Sequence, residues 1–362
     1  MANLLPARAR VIVKCNICRY LLMLVSLLLG NGCGSDQNPD SSSQPVRYTQ
    51  VQGTTMGTYY RVQYRQDAGC AVSQSELDAL LIAFNSSLST YVADSEISVF
   101  NRAPAQQWVA LSPRFNEVMQ AALQVWRQSA GAFDVTIGPL VNLWGFGPAE
   151  VVSLPTSEAQ RRAARWVGMQ RLQLDHANAL AKKNADAVYV DLSALAKGLG
   201  VDEMAEYLRA TDCKDFMVDV GGEMRTQGSN ASGGAWRIGV EKPLPGGRGS
   251  IQRVLTLSNG GIATSGDYRN FREVDGVRVD HVIDPRTGVP ANNSVASVTV
   301  IHPQAMFADA YATTIMVLGG DAGIAFAQNL DLAVLLIEKS ADGGFVERYT
   351  QSMRSHFLAP PE

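Results

Sequence analysis

The sequence predicts an α+β fold whose sheet is mixed but largely antiparallel. From residue 187 onward, strand-like and helix-like runs follow one another without a regular β-α alternation, unlike a doubly wound parallel sheet. Glycine-bearing turns recur between the apolar runs, as hairpins require. No internal repeat with a period of roughly 20 to 50 residues is visible, which sets solenoids and propellers aside.

The first strand signal is "QVQGTTMGTYYRVQYR", where Tyr60, Val62 and Tyr64 alternate with polar residues after a glycine-containing turn. "SQSELDALLIAFNSSLS" predicts a helix opened by a Ser73–Glu76 capping box. "SPRFNEVMQAALQVWRQSAG" repeats that design and stops at Gly131. "FDVTIGPLVNLWGFGP", rich in Gly and Pro, predicts an irregular wall, followed by a polar helix around "TSEAQRRAARWV". "AVYVDL" then reads as a strand leading into a helix that starts near Ser193 and runs through Lys197. Further strands are expected at "DFMVDVGGEMRTQG", "WRIGVEKP", "VLTLSNGGIATSG", "VDHVIDP" and "VASVTVIH". A helix, "AMFADAYATTIMVL", precedes a final strand, "LAVLLIEK". No linker-like segment divides residues 49–362, so they are expected to form one compact unit, a pattern compatible with two lobes.

Across 362 residues the chain is 46% hydrophobic with a net charge of -3. That supports a sizeable core and argues against disorder. Without a block of basic residues there is no electrostatic footprint for nucleic acid, which is set aside as a partner.

The N-terminus differs from the rest. Arg8, Arg10, Lys14 and Arg19 precede "YLLMLVSLLLG", an apolar run too short for a comfortable membrane span. Residues 1–32 therefore read as a signal peptide, and residues 33–48, from Cys33 through "DQNPDSSSQP", as a polar tether. The arrangement resembles a bacterial lipoprotein signal, cleaved before a cysteine that is then acylated. It departs from that pattern at Gly30, where an apolar residue is usual and Leu29 stands one place too early. The resemblance implies a periplasmic protein held by lipid on Cys33, with the inner membrane expected; simple cleavage and retention as an anchor stay open. Of five cysteines, Cys15 and Cys18 would leave with the leader, and only Cys70 and Cys213 remain for the folded part. An oxidising periplasm would allow those two to pair, but nothing in the sequence brings them together. Cys15 and Cys18 lack the second pair a zinc site needs, and no cysteine is a catalytic candidate.

Several residues invite chemistry. Asp309 sits in an apolar helix, where an unpaired carboxylate is costly, and Thr313 four residues on shares its face. The two could cap and back-bond their own helix, or they could hold a hard cation. Asp191 or Ser193 could cap the helix carrying Lys197, a cation near a helix N-terminus, where a bound phosphate is one explanation and an ordinary solvated lysine another. Gly221 and Gly222 fit a plain turn or a close approach to a ligand, without a dinucleotide fingerprint. Thr264 and Ser265 beside Gly266 suit phosphate oxygens or a simple turn. His281, with Asp284 nearby, could be a general base or a structural histidine.

Taken together and in order, "TTMGTYYRV", "LSTYVADSEISVFN", "SAGAFDVTIGPLVNLWGFG", "VDLSALAKGLGVD", "VDVGGEMRTQG", "WRIGVEKP", "IATSGDYRNF", "HVIDPRTG" and "FADAYATTIMVLG" resemble the ApbE family, the FAD:protein FMN transferases. The resemblance runs from about Thr54 to about Leu318. It implies FAD contacts at Met56, Tyr91, Ala132, Phe133, Asp134, Asp191, Lys197 and Ile283. It also implies magnesium at Asp309 and Thr313, with a third metal position at Ala194, whose only oxygen is its backbone carbonyl. His281 matches the family's proposed base.

The implied reaction is magnesium-dependent transfer of the FMN part of FAD to a threonine or serine hydroxyl of another protein, releasing AMP. Acceptors implied by the family are flavoprotein subunits of membrane electron-transfer complexes such as sodium-pumping NADH:quinone reductase (Nqr) or the related Rnf complex. The same residues would serve an FAD pyrophosphatase with water as acceptor. A non-catalytic flavin carrier would need neither metal ligands nor a base.

Overall fold

A computed structural model describes residues 47–358 apart from 67–68, 150, 152, 245–248, 269–270 and 275. Met56 and Gly57 have positive φ (49° and 71°), the left-handed pair that a two-residue hairpin turn needs. The expected first strand is therefore the second arm of a hairpin, β1 (Tyr48–Thr55) pairing with β2 (Thr58–Arg65). Tyr48, read from sequence as the end of the tether, already belongs to the sheet. The leader and the rest of the tether up to residue 46, including Cys33, lie outside the described residues. No helix among the described residues is long and apolar enough to cross a membrane.

After the hairpin come α1 (Gln74–Leu88), α2 (Glu96–Arg102), β3 (Val109–Ala110), α3 (Pro113–Gln128), α4 (Gly138–Leu143), α5 (Ser157–Ala164), β4 (Leu172–Asp175), β5 (Leu180–Lys183) and α6 (Ser193–Ala210). Both arms of the Ser73–Glu76 capping box form at the start of α1. Gly131, at φ +82°, closes α3 by donating to the Trp126 carbonyl (3.0 Å). The "AVYVDL" run is not a strand; it makes one parallel bridge, Tyr189 with Ile137, while Val188 and Val190 are fully buried. Its apolar residues fill core space instead of extending a ladder. This is the pattern a buried connector shares with a buried strand.

The second half contains β6 (Phe216–Val220), β7 (Glu223–Gln227), β8 (Trp236–Glu241), β9 (Ile251–Leu257), β10 (Gly260–Gly266), β11 (Phe271–Val274), β12 (Val277–Asp280), β13 (Ile283–Asp284), β14 (Val289–Pro290), β15 (Val295–His302), α7 (Ala305–Leu318), α8 (Gly320–Asn329), β16 (Ala333–Lys339) and β17 (Phe345–Tyr349). Eight strands form one sheet in the order β1-β2-β6-β7-β10-β15-β16-β17, every neighbouring pair antiparallel. "VLTLSNGGIATSG" divides between β9, paired with β8, and β10 in the main sheet. "VDHVIDP" breaks at His281 between β12 and β13. The sheet does not end at β16, because β17 adds an edge.

The middle of this sheet is covered on both faces, so β15 is buried at seven of its eight positions. On one face Val298 and Val300 pack with Ala308, Ala312 and Ile315 of α7 and with Phe115 and Val118 of α3. On the other, Ile262, Ile301 and Leu335 pack beneath Ile238 and Leu255 of the β8–β9 hairpin. A third cluster joins Tyr60, Val62 and Val218 to Leu77 of α1 and Met204 of α6. The described residues all lie in one compact unit.

Two backbone contacts fix α6 against α7. A Cβ on Gly198 would lie 2.3 Å from the Ala305 carbonyl oxygen, so only glycine permits this approach. One turn further along α6, the buried Asp202 accepts from the Ala305 and Met306 amides (both 2.9 Å) and caps α7 from outside its own chain segment. Capping is therefore not the work of Asp309.

Candidate active site

Where α6, α7, the β6–β7 turn and the loop before α4 meet, they enclose a cleft of about 680 Å³. All twelve site residues that the family resemblance implied line it: Met56, Tyr91, Ala132, Phe133, Asp134, Asp191, Ala194, Lys197, His281, Ile283, Asp309 and Thr313. They come from chain segments up to 257 positions apart, from Met56 to Thr313.

The floor is charged. Lys197 Nζ lies 2.6 Å from Glu223 Oε1 and 3.6 Å from Asp309 Oδ1. Asp309 Oδ2 accepts from the Gly198 amide (3.2 Å), the amide that in a regular helix serves the carbonyl of Ala194 four residues back. Burial pushes Asp309 upward as a carboxyl, against the pull of Lys197 and the Gly198 amide. Glu223 is likewise pushed up by burial, with Lys197 opposing and Asp309 reinforcing. Burial works against the charge on Lys197, but the two carboxylates outweigh it and hold its ammonium above the usual range. Glu223 was not singled out from the sequence, where the glycines before it drew the reading. An acid directly after the Gly-Gly pair that ends an apolar run was the available signal.

Asp191 Oδ1 accepts from the Ser193 amide (2.8 Å), so the acid, one residue ahead of the N-cap Leu192, satisfies the first amide of α6. Thr313 Oγ1 is 3.4 Å from Ser265 Oγ of β10, which gathers two hydroxyls beside Asp309. Asp134 turns inward: Oδ1 accepts from the Thr136 amide (2.8 Å) and hydroxyl (2.5 Å), and Oδ2 from the Met169 amide (2.9 Å). Burial raises its pKa and those bonds oppose the rise. Its structural work is to shape the loop that presents Ala132 and Phe133.

One wall is laced to the loop after α4. Tyr91, 65% exposed, donates its hydroxyl to the Phe146 carbonyl (3.0 Å). Burial of that hydroxyl and the Asp191 carboxylate raise its pKa. Trp144 Nε1 donates to the Gly288 carbonyl (3.0 Å), and Arg272 donates to the Trp144 (3.1 Å) and Val151 carbonyls. Arg272, also absent from the sequence reading, is the second cation lining the cleft. His281 sits in the bend between β12 and β13, edge-on to Phe146 with ring centroids 6.3 Å apart. Asp284 is not its orienting carboxylate; it closes a turn, accepting from the Arg286 amide (2.8 Å) and from both ends of its guanidinium (2.9 and 2.8 Å).

These donors fit a hard divalent cation. Among the described lining residues the acids Asp191, Glu223 and Asp309 outnumber the cations Lys197 and Arg272, and a bound cation would offset them. Asp309 and the Thr313 and Ser265 hydroxyls are oxygen donors of the type magnesium takes. Among the described residues no group of three or more His, Cys, Asp or Glu could hold a metal. Water or substrate oxygens would have to complete the shell, as is usual for magnesium.

Residues 56–336 match the ApbE family model. The chain is 42% identical over 344 residues to the FAD:protein FMN transferase of Vibrio cholerae, covering 94% of this chain and 99% of that protein. It is 40% identical over 312 residues to the Haemophilus influenzae FAD:protein FMN transferase, covering 84% and 90%. Among solved structures, the flavin transferase ApbE from Vibrio cholerae superposes with a TM-score of 0.80 at 42% identity, covering 87% of this chain and 100% of that one. The apo flavinyl transferase ApbE of Pseudomonas stutzeri gives 0.78 at 33% identity, with 87% and 98% covered. An antiparallel α+β fold of the same shape, with a family match over most of its length, places this chain in the ApbE family.

Proposed function

We propose that this protein transfers the FMN part of its substrate FAD to a threonine or serine hydroxyl of an acceptor flavoprotein, releasing AMP. The observation that carries the reading is the convergence of Lys197, Asp309, Thr313 and His281 on one cleft, of a size that buries a whole small molecule. The relatives' shared activity supports it.

Asp309 and Thr313, with the Ala194 carbonyl near the start of α6, would hold magnesium. A bound magnesium ion would neutralise phosphate charge and polarise the phosphoryl oxygens. Lys197, kept charged by its carboxylate neighbours, would hold the pyrophosphate. Tyr91 and Met56 offer the flavin an aromatic face and an apolar contact at the mouth. The acceptor oxygen attacks the phosphorus of the FMN half while His281 takes the hydroxyl proton. A phosphoester bond forms, the pyrophosphate bond breaks, and AMP leaves with its electron pair.

Export fits this work. Cys70 and Cys213, 143 positions apart, are joined by a buried disulfide, which supports an oxidising compartment and so the lipoprotein reading of the leader. A lipid on Cys33 would hold the enzyme beside membrane electron-transfer complexes, with Nqr- or Rnf-type subunits as acceptors, and raise the effective concentration.

The test mixes the protein with FAD, magnesium and a candidate acceptor, and weighs the intact acceptor. The expected result is a gain of one FMN less one water that survives denaturation and does not form when chelator is present in the reaction. An unmodified acceptor with FMN and AMP accumulating would replace the transferase by a pyrophosphatase.

A further inference from the structure

Lys197 and its two acids have a role that cation binding by itself does not require. One ammonium serves two buried carboxylates, Glu223 (3% exposed) and Asp309 (2% exposed). The contacts are unequal: 2.6 Å to Glu223 Oε1 against 3.6 Å to Asp309 Oδ1. Glu223 Oε2 is buried without a hydrogen-bond partner among the described residues, and Glu223 lines the cleft. The trio thus sets two carboxyl groups against one ammonium and keeps one carboxyl oxygen in reserve.

We propose that Lys197 is the built-in counter-ion of the cation site, competing with a divalent cation for Asp309, and that Glu223 is the positioning residue that retains Lys197 when Asp309 gives it up. The inference rests on the reading of Asp309 as a cation ligand. Before a cation arrives, Asp309 needs a positive neighbour, because a lone buried carboxylate is expensive. When a cation binds Asp309, it repels the ammonium and makes the looser contact the one to yield. Lysine's flexible stem lets the ammonium pivot, and the two oxygens of Glu223 keep it in the cleft, where an anionic substrate can meet it. Without Glu223, Lys197 would fall back on Asp309 and occupy the ligand that the cation needs.

The test measures Mn²⁺ binding to the full chain without FAD, from the electron paramagnetic resonance signal of free Mn²⁺. Lys197→Met is expected to bind about tenfold tighter than the native protein, and Glu223→Gln about fivefold weaker. The double variant should return to within about threefold of Lys197→Met, since Glu223 acts through the lysine. A double variant as weak as Glu223→Gln would make Glu223 a direct ligand and overturn the positioning role. A Lys197→Met protein that binds no tighter would overturn the competition. Melting by circular dichroism checks each variant, and Lys197→Gln, with the same expectation, replaces Lys197→Met if that protein does not fold. Undiminished Mn²⁺ binding by Asp309→Asn would identify a different failure, that of the metal assignment, and the inference would fall with it.

Discussion

Beside His281 in the chain, Asp280 has a buried Oδ1 with no hydrogen-bond partner among the described residues. Burial and the Asp267 carboxylate, opposed by Arg278 and Lys339, push Asp280 up to about 6. A carboxyl raised by folding favours the folded state when protonated. Its contribution is therefore complete below about pH 4 and is lost as pH rises through about 6. Asp280→Asn is expected to remove that loss. At pH 7.5 it should raise stability by about 1 kcal/mol, solvent screening allowed for. Melting temperatures of the variant and native protein that run parallel from pH 4 to 8 would contradict this. For His281→Ala, the expected result is transfer slowed about a hundredfold or more with FAD still bound. Weaker FAD binding at an unchanged saturated rate would make the histidine a binding residue instead.

At the scale of elements, the site depends on how closely α6 approaches α7. Gly198 sits against the Ala305 carbonyl and donates its amide to Asp309, so one residue sets both the helix spacing and the carboxylate's position. Gly198→Ala must push the helices apart, at an expected cost of about 1–3 kcal/mol. Its activity should fall further than its stability, because Lys197 and Asp309 ride on opposite sides of that contact. Denaturant unfolding alongside the transfer assay separates the two effects; full activity in a destabilised protein would show that the spacing is not critical.

For the molecule as a whole, the Cys70–Cys213 disulfide links the segment between β2 and α1 to the turn between α6 and β6. It encloses α1 through α6, the half of the chain that supplies Tyr91, Asp134 and Lys197. A loop this long gains considerably from closure, so the Cys70→Ser, Cys213→Ser protein is expected to lose about 2–4 kcal/mol. Without reductant its melting temperature should fall below that of the native protein. If reductant leaves the native protein's melting temperature unchanged while the thiols become reactive, the bond contributes little.

The sequence by itself determined the elements whose signals are local. The Ser73–Glu76 box started α1, Gly131 ended α3, and the apolar run from Ala305 to Leu318 was a helix with the bounds expected of it. The motif order carried the family and the residues that line the cleft. The connector 187–192 was misread, because buried Val188 and Val190 alternate with the more exposed Ala187 and Tyr189, the period of a half-buried strand. Only the tertiary structure decided which groups meet: Asp284 goes to Arg286 and away from His281, Asp202 caps a helix 103 positions later, and Cys70 reaches Cys213. Glu223 and Arg272 enter the cleft for the same reason. Pairing between distant charges follows from how the sheet and helices stack, and no local periodicity encodes it.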